Sequence, residues 1–503
     1  MPSVPASFMA FATYIGQQLI LDPRDLAAKF ARKTGIAVSI TCKQTEAEIA
    51  EELGEYSEAI AIAKRSWYRP GQVVRNTLVR IRCKQKLRWF QSPIFRVKPS
   101  SQRAYLAPRV IYICGNSRPY TNSGYSKRTH SLVKAIADSG VEIFALTRLN
   151  YPAEIGVPCY PIEDSIDGVV YRRNTIAPYP LTVDKYVKQA AEGIARQISS
   201  SRAVILHTTT SFHNAVVVSD VAKKSGIPWI YELRGEIEKT WLTTPTISGI
   251  PRSEESEHFR LSRNRELAAV RAASGVIVLS EIARRELISQ GIDKQKILVV
   301  PNAAEAALFE THLSIKEAKM LTDVDPTKVT IGSVTSIVPY EGLDTLIRSL
   351  EFLPQRFQVM IVGGGSDESR LKQLVNDLGV SERVRFAGKQ PQEEIIPWYR
   401  ALDVFVVPRN DVSVCRTVTP VKPLAAMALG IPVVASDLPA LREVTGNCAS
   451  YCNPGDPSDL ANAIKQAYEQ TDLEDATEWA RSRTWDRVAC NVSRFYNSVL
   501  SNS

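Results

Sequence analysis

Beyond residue 108 the apolar positions gather into short runs rich in β-branched side chains, separated by turn-forming residues. Runs of this kind read as strands buried on both faces. They predict strands at 110–114, 142–147, 203–207, 229–233, 276–279 and 297–300. Between them the apolar spacing changes to the three-and-four pattern of helices, as at 127–138 and 214–224. The alternation is that of a parallel sheet with helices on both faces.

The pattern then starts again. Strands are predicted at 329–334, 358–362, 384–387, 404–407 and 433–435, and helices at 343–353, 368–378, 423–429 and 458–469. The fold class is therefore α/β, with two Rossmann-like doubly wound domains joined near 303–327. Two such domains are expected to face a cleft at the carboxyl ends of their strands, where ligands of open α/β sheets bind. Expected domains are a helical extension at 1–105, a first Rossmann-like domain at 106–310, a second at 311–484 and a terminal helix at 485–503.

The first 105 residues follow helical spacing instead. Asp22 and Pro23 start a helix at 24–33, a second runs over 45–53 to Gly54, and a third over 56–67. The run from Gly54 to Ile60 resembles a tetratricopeptide repeat unit. A single unit cannot bury its own face, and no second repeat follows.

Composition changes this picture in one place. The chain of 503 residues carries a net charge of +9, yet 64–103 holds twelve basic residues and no acidic one, which leaves the rest at −3. Such a segment suits an anionic membrane surface. Nucleic acid is the electrostatic alternative, but no stacking pattern or binding motif accompanies the charge, and a solvated helical face is the plain reading. No run of 18 apolar residues crosses a membrane, and the absence of a basic residue before Arg24 argues against an ordinary secretory signal. Eight cysteines with no histidine cluster predict neither a zinc site nor a disulfide framework, as in a cytoplasmic protein.

Candidate chemistry lies after the strands. Gly124 stands where a loop enters a helix, a place where backbone N–H groups can meet an anion; a plain turn is the alternative. The surrounding sequence is not G-x-G-x-x-G, so the dinucleotide fingerprint is absent. Gly363-Gly364-Gly365 follows a second-domain strand and fits either phosphate binding or close loop packing. Arg416 and Lys422 flank the entry to a helix; two cations there form a candidate diphosphate site, unless both are solvated charges. His207 ends a strand and His213 follows it.

The ordered set of motifs resembles the retaining glycosyltransferases of family 4, which have the GT-B fold. The resemblance runs from about 108 to 500 and rests on Asn122-Ser-Gly-Tyr125-Ser-Lys-Arg128-Thr-His130, Leu146-Thr-Arg148-Leu-Asn-Tyr-Pro152 and Tyr231-Glu232-Leu-Arg234-Gly235-Glu-Ile-Glu238. It continues through Val300-Pro301-Asn302, Ser336-Ile-Val-Pro-Tyr-Glu341-Gly342-Leu-Asp344, the triple glycine and Pro432-Val-Val-Ala-Ser-Asp437. It implies transfer of a sugar from a nucleotide-diphosphate donor with retention at the anomeric carbon. It implies no cofactor and no metal, because basic side chains neutralise the diphosphate.

Carried over residue by residue, the resemblance makes His207 the histidine at the donor sugar. It places Gly124, Ser336, Glu341, Gly342, Gly364, Arg416, Thr417, Lys422 and Ala425 on the donor side. Tyr125, Arg128, His130, His213, Arg234 and Glu238 fall on the acceptor side. The family's usual Arg and Lys after the first strand of the second domain are Ser336 and Glu341 here, and its two glutamates are Thr417 and Ala425. Ala425 cannot accept the ribose hydrogen bonds that the family glutamate takes, a loss of about 1–3 kcal/mol.

The implied function is hexosyl transfer to an envelope glycan or lipid-linked acceptor in polysaccharide biosynthesis. The enzyme would be cytoplasmic or peripheral at the inner face of the membrane, with no nucleic-acid partner. The alternative is a degenerate homologue that binds glycan or serves as a partner subunit. An epimerase or phosphorylase is a third chemistry of the same fold.

Overall fold

The computed structural model describes residues 6–34, 43–66, 71–97, 107–158, 162–391 and 394–501. It forms two compact units, residues 1–278, 288–298 and 489–503 in the first and 279–287 and 299–488 in the second.

The first unit is built on eight strands: β1 (Arg109–Cys114), β2 (Glu142–Thr147), β3 (Glu163–Ile166), β4 (Val169–Arg172), β5 (Ile205–Thr209), β6 (Trp229–Leu233), β7 (Gly275–Val278) and β8 (Ile297–Val299). Their order is β3-β4-β2-β1-β5-β6-β7-β8. The β3–β4 hairpin, an antiparallel edge pair that the periodicity misses, caps one side of an otherwise parallel ladder. β1 is almost wholly a buried apolar run, as suits a strand covered on both faces, and β5 is buried throughout although its second half, His207 to Thr209, is polar.

Five helices precede the sheet: α1 (Ala6–Leu21), α2 (Pro23–Thr34), α3 (Glu46–Glu52), α4 (Tyr56–Arg65) and α5 (Val73–Gln91). Thr45 caps α3 in a full capping box with Glu48. The repeat-like stretch is the α3–α4 pair, and α5 supplies the partner a lone unit lacks: Ala47, Tyr56, Ala59, Val79 and Cys83 share one small core. These helices belong to the same unit as the sheet rather than standing apart. Gly54 shows why. It has φ +82°, and a Cβ there would sit 2.7 Å from His258 Cβ, so only glycine lets the α3–α4 turn press onto this side chain. Beside it, the Tyr56 hydroxyl lies 2.9 Å from His258 Nδ1.

Four cations of the basic segment are answered by carboxylates of the same chain. Arg75 bonds Glu48, Arg82 and Lys86 share the buried Glu51, and Arg88 pairs with Asp184 at 2.8 Å. Arg69, Lys98 and Arg103 lie outside the described residues.

The second unit holds β9 (Val329–Val334), β10 (Phe357–Val362), β11 (Val384–Gly388), β12 (Val404–Val407), β13 (Val433–Ser436) and β14 (Ser450–Cys452). All pairs are parallel and the order is β11-β10-β9-β12-β13-β14. Chain direction across the sheet reverses between β9 and β12, as it does between β1 and β5 in the first unit; these are the switch points where a crevice opens. The helix predicted over 343–353 is an α-helix only over Leu343–Arg348 and tightens to a 3-10 turn at Ser349–Phe352.

The terminal helix Trp485–Ser501 returns to the first unit from residue 489 on. Val492, Tyr496, Val499 and Leu500 form its buried stripe. Phe495 and Val499 press on Gly275 at the start of β7. The sequence shows this stripe but not which sheet it covers. Among the described residues, no helix is long and apolar enough to cross a membrane.

Candidate functional site

In the first unit a cavity of about 620 Å³ opens at the β1/β5 switch point. Its floor comes from the residues that leave the strands: Gly115 and Asn116 after β1, Arg148 after β2, Thr210 and Ser211 after β5, and Arg234 after β6. Tyr125, at the first turn of the helix Gly124–Asp138 (α6), and His213, at the start of the helix Phe212–Ser225, complete that side. Ser123 and Ser126 fix α6 through a reciprocal cap. No atom would lie within 4 Å of a Cβ at Gly124, so space does not demand glycine there.

Beneath the cavity floor lies a buried polar cluster centred on Glu232. Its two oxygens take Arg128 Nε and Arg234 Nη2, each at 2.8 Å, while the Tyr112 hydroxyl donates at 2.7 Å. Glu232 is completely buried and the two arginine side chains are 2–3% exposed. Burial alone would raise this carboxyl; Arg234 and Arg128 override it and hold Glu232 well below the usual carboxylate range. Arg234 also donates to Tyr125 O at 3.0 Å and to Thr129 Oγ1 at 2.7 Å, which fixes the turn from which Tyr125 projects.

His207 belongs to this cluster. It is completely buried, its Nδ1 lies 2.8 Å from the Tyr496 hydroxyl, and its Nε2 lies 3.6 Å from Glu232. Burial pushes its pKa down, so the ring stays neutral. It is not among the residues that line the cavity, and Tyr496 of the terminal helix stands against it. The ring has no exposed face in this structure. The strand predicted from the sequence ends at His207, but β5 runs on to Thr209 and holds His207 in its middle, and the ring is covered by a helix 289 residues away.

The other acceptor-side residues divide. Tyr125, His213 and Arg234 line the cavity together. Arg128 and His130 do not: Arg128 is spent on Glu232, and His130 is buried between the Tyr171 hydroxyl and Asp167, each at 3.0 Å. Glu238 is buried outside the lining, and burial raises its pKa. Burial likewise lowers His213 to about 3, so it lines the cavity as a neutral ring.

In the second unit the residues at the β9/β12 switch point come together. Lys422 Nζ donates to Thr335 Oγ1, just past β9, at 2.5 Å. Glu341 and Arg409, just past β12, form a buried ion pair at 2.7 Å, and Arg409 also holds Val418 O at 3.0 Å. Burial works against the ionised form of Glu341, but Arg409 and Lys422 bring its pKa below the ordinary value. The chain reaches this arrangement through Gly342, with φ +68° and a Cβ position only 1.9 Å from Pro408 O. The triple glycine behaves similarly: a Cβ on Gly363 would meet Thr335 O at 1.8 Å. Close packing is thus one reason for these glycines, and Gly364 is the member whose nearest neighbour is a flexible side chain, Lys389.

Arg416 is placed differently from Lys422. It is exposed and clasped by Asp411 at 2.5 Å. Thr417 ends the same short helix and donates to Ser413 O at 3.4 Å. Ser336 lies one residue beyond Thr335, and Ala425 is half-buried against the unit's core in the helix Lys422–Ala428. Arg409 is the residue that sequence reasoning missed. Its signal was present: a basic residue directly after a buried strand, in a chain where the loop after β9 carries a carboxylate instead of a cation.

Comparison with known proteins follows the same division. Residues 123–303 match the glycosyl transferase 4-like domain, and residues 325–470 match the domain of glycosyl transferases group 1. The chain is 32% identical over 191 residues to the lipopolysaccharide core biosynthesis mannosyltransferase LpsB of Rhizobium meliloti, covering 36% of this chain and 49% of that protein. It is 26% identical over 284 residues to a D-inositol 3-phosphate glycosyltransferase of Corynebacterium urealyticum, covering 52% and 66%. The chain thus spans about half to two thirds of the length of these curated relatives. Sucrose-phosphate synthase from Thermosynechococcus elongatus superposes with a TM-score of 0.63 at 19% identity, over 78% of this chain and 100% of that one. Anabaena HepE in complex with UDP-glucose superposes with a TM-score of 0.58 at 19% identity, over 78% and 99%. These likenesses show the fold: two parallel-sheet α/β domains of GT-B type.

Proposed function

From the premise that this chain, with both glycosyltransferase domains in order, belongs to the GT-B glycosyltransferases, we propose that it moves a hexose from a nucleotide-diphosphate donor to a glycan or lipid-linked acceptor. We propose further that transfer proceeds with retention at the anomeric carbon, on the strength of the family 4 resemblance. The second unit takes the donor and the first unit's cavity takes the acceptor. The relatives that act on lipopolysaccharide core support an envelope glycan as product and a cytoplasmic, membrane-proximal place of work. UDP is the nucleotide to test first, since HepE is described bound to UDP-glucose.

One observation carries the donor reading. Lys422 and Arg409 converge with Thr335 and Glu341 at the switch point of a sheet whose order is that of a nucleotide-binding fold. Charge that develops on a departing diphosphate is stabilised by fixed cations in a site of low dielectric. Glu341 positions Arg409, which lets a carboxylate stand where the family usually has a lysine. In this reading Ser336, Gly342 and Gly364 line the diphosphate side, and Arg416 and Thr417 form its outer rim.

Thermal melting in the presence of UDP, GDP, ADP and their hexose derivatives tests this. A ligand at 100 times its dissociation constant stabilises the native state by about 2.7 kcal/mol. One nucleotide should raise the melting temperature, and Lys422→Ala should abolish the rise. A cooperative melt that no nucleotide shifts would favour the degenerate, glycan-binding homologue, which Ala425 motivates.

A further inference from the structure

The cavity of the first unit is not closed by the Rossmann-like domain alone. Gln17, Gln18 and Leu21 of α1 and Gln85 and Trp89 of α5 form one of its walls. We infer that the N-terminal helices are a working part of the acceptor site, with Trp89 as a platform that selects an uncharged sugar ring. This rests on the reading that the cavity takes the acceptor.

Three observations carry it. First, the wall is fastened to the cavity rim from several directions. Gln17 Nε2 donates to Tyr179 O at 3.0 Å, Gln85 Nε2 to Leu181 O at 3.2 Å, and the Tyr14 hydroxyl to Glu154 O at 2.9 Å. Arg88 adds its pair with Asp184. Second, the Trp89 indole is half-buried and held edge-to-face by Tyr186, at 5.5 Å and 72°, and by His213, at 4.7 Å and 71°. An aromatic ring fixed in this way offers a flat apolar face beside polar neighbours, the combination that suits a ring carrying hydroxyls on its edge and C–H groups on its faces.

Third, each cation in the lining already has a carboxylate partner. Arg148 pairs with Glu154 at 3.0 Å, and Arg234 is bound by Glu232, Thr129 and the Tyr125 carbonyl. His213 is neutral. A phosphorylated acceptor brought here would lose water and compete with Glu154 and Glu232 for these guanidinium groups, a cost that an uncharged sugar avoids. Arg88 of α5 thus acts as a fastener of a sugar-binding wall, and Trp89 beside it faces the ligand.

Saturation-transfer NMR on the full chain decides the matter. The probes are methyl α-D-mannopyranoside, methyl α-D-glucopyranoside and maltose, against mannose 6-phosphate and myo-inositol phosphate, with wild type, Trp89→Ala and Trp89→Phe. A neutral glycoside should give signal, lose affinity at least about tenfold in Trp89→Ala, and keep it in Trp89→Phe, as for a stacking anchor. All three proteins should melt cooperatively at similar temperatures, and any nucleotide that shifts one should shift all three equally, which shows that the variants are folded. Silence from every neutral glycoside, tighter binding of a phosphorylated sugar, or unchanged binding in Trp89→Ala each overturns the inference. Trp89-dependent glycoside binding in a protein that ignores all nucleotides would uphold it while ending the transferase reading.

Discussion

Glu232→Gln is the sharpest test of how the first unit is held together. The substitution keeps the volume and removes one negative charge from a site where Glu232 is fully buried and the Arg128 and Arg234 side chains are 3% and 2% exposed. Two guanidinium groups then lose their shared counter-ion without gaining access to water. Breaking a buried pair in this way costs about 3–5 kcal/mol. For a large domain that corresponds to a fall of at least about 6 °C in melting temperature. Calorimetry of the full chain, following the transition of the first unit, reads it. Adding Arg128→Met should restore part of the loss, because the second change removes one of the stranded charges. The same pair gives a pH signature. Glu232 titrates lower when folded than unfolded, so its stabilisation is complete above about pH 4.3 and drains as pH falls towards the folded value. Glu232→Gln should lack that acid dependence. A melting change smaller than about 2 °C would refute the claim that this carboxylate compensates both arginines.

Other outcomes are expected elsewhere. Glu266 is buried and accepts from Phe212 N–H and the Tyr231 hydroxyl, and burial raises its pKa to about 7, so its contribution is full below the unfolded value of about 4.3 and is gone above the folded one; wild type should lose stability between about pH 4 and 7, and Glu266→Gln should flatten that slope in urea titrations. Gly342→Ala forces a side chain into a left-handed residue and onto Pro408 O, and should destabilise the second unit by at least about 2 kcal/mol in the same titrations. Ala425→Glu supplies the acceptor that the family pattern places there, and should tighten nucleotide binding by roughly 5- to 100-fold by calorimetric titration; unchanged affinity would show that this position does not face the ribose. Arg409→Ala should weaken nucleotide binding at least as much as Lys422→Ala, and unlike Lys422→Ala it should also lower stability, because it leaves Glu341 buried without its partner.

The sequence by itself determined the strands, the helices between them and the doubling of the pattern. A strand covered on both faces must be apolar throughout, and that leaves a mark any reader of the chain can see: the runs at 142–147, 229–233, 329–334 and 404–407 are the strands themselves. It also singled out Tyr125 and His213, which line the first unit's cavity, because residues that follow a parallel strand stand at the edge where ligands bind. Tertiary structure decided what each polar residue answers to. His207 ends its strand as predicted from the sequence, but it sits in the middle of β5 and a helix from the far end of the chain covers it. Arg128 and Arg234 look alike as basic residues of conspicuous motifs, yet only Arg234 reaches the cavity, since Glu232 is shared from opposite sides. The positive run at 64–103 suggests an anionic partner until folding brings Glu48, Glu51 and Asp184 against it. Trp89 carries no sequence label as a ligand contact, because its neighbours Tyr186 and His213 lie about a hundred or more positions away. Periodicity is local and survives in one dimension; charge pairing and the walls of a cavity are distances, and they exist only once the chain has folded.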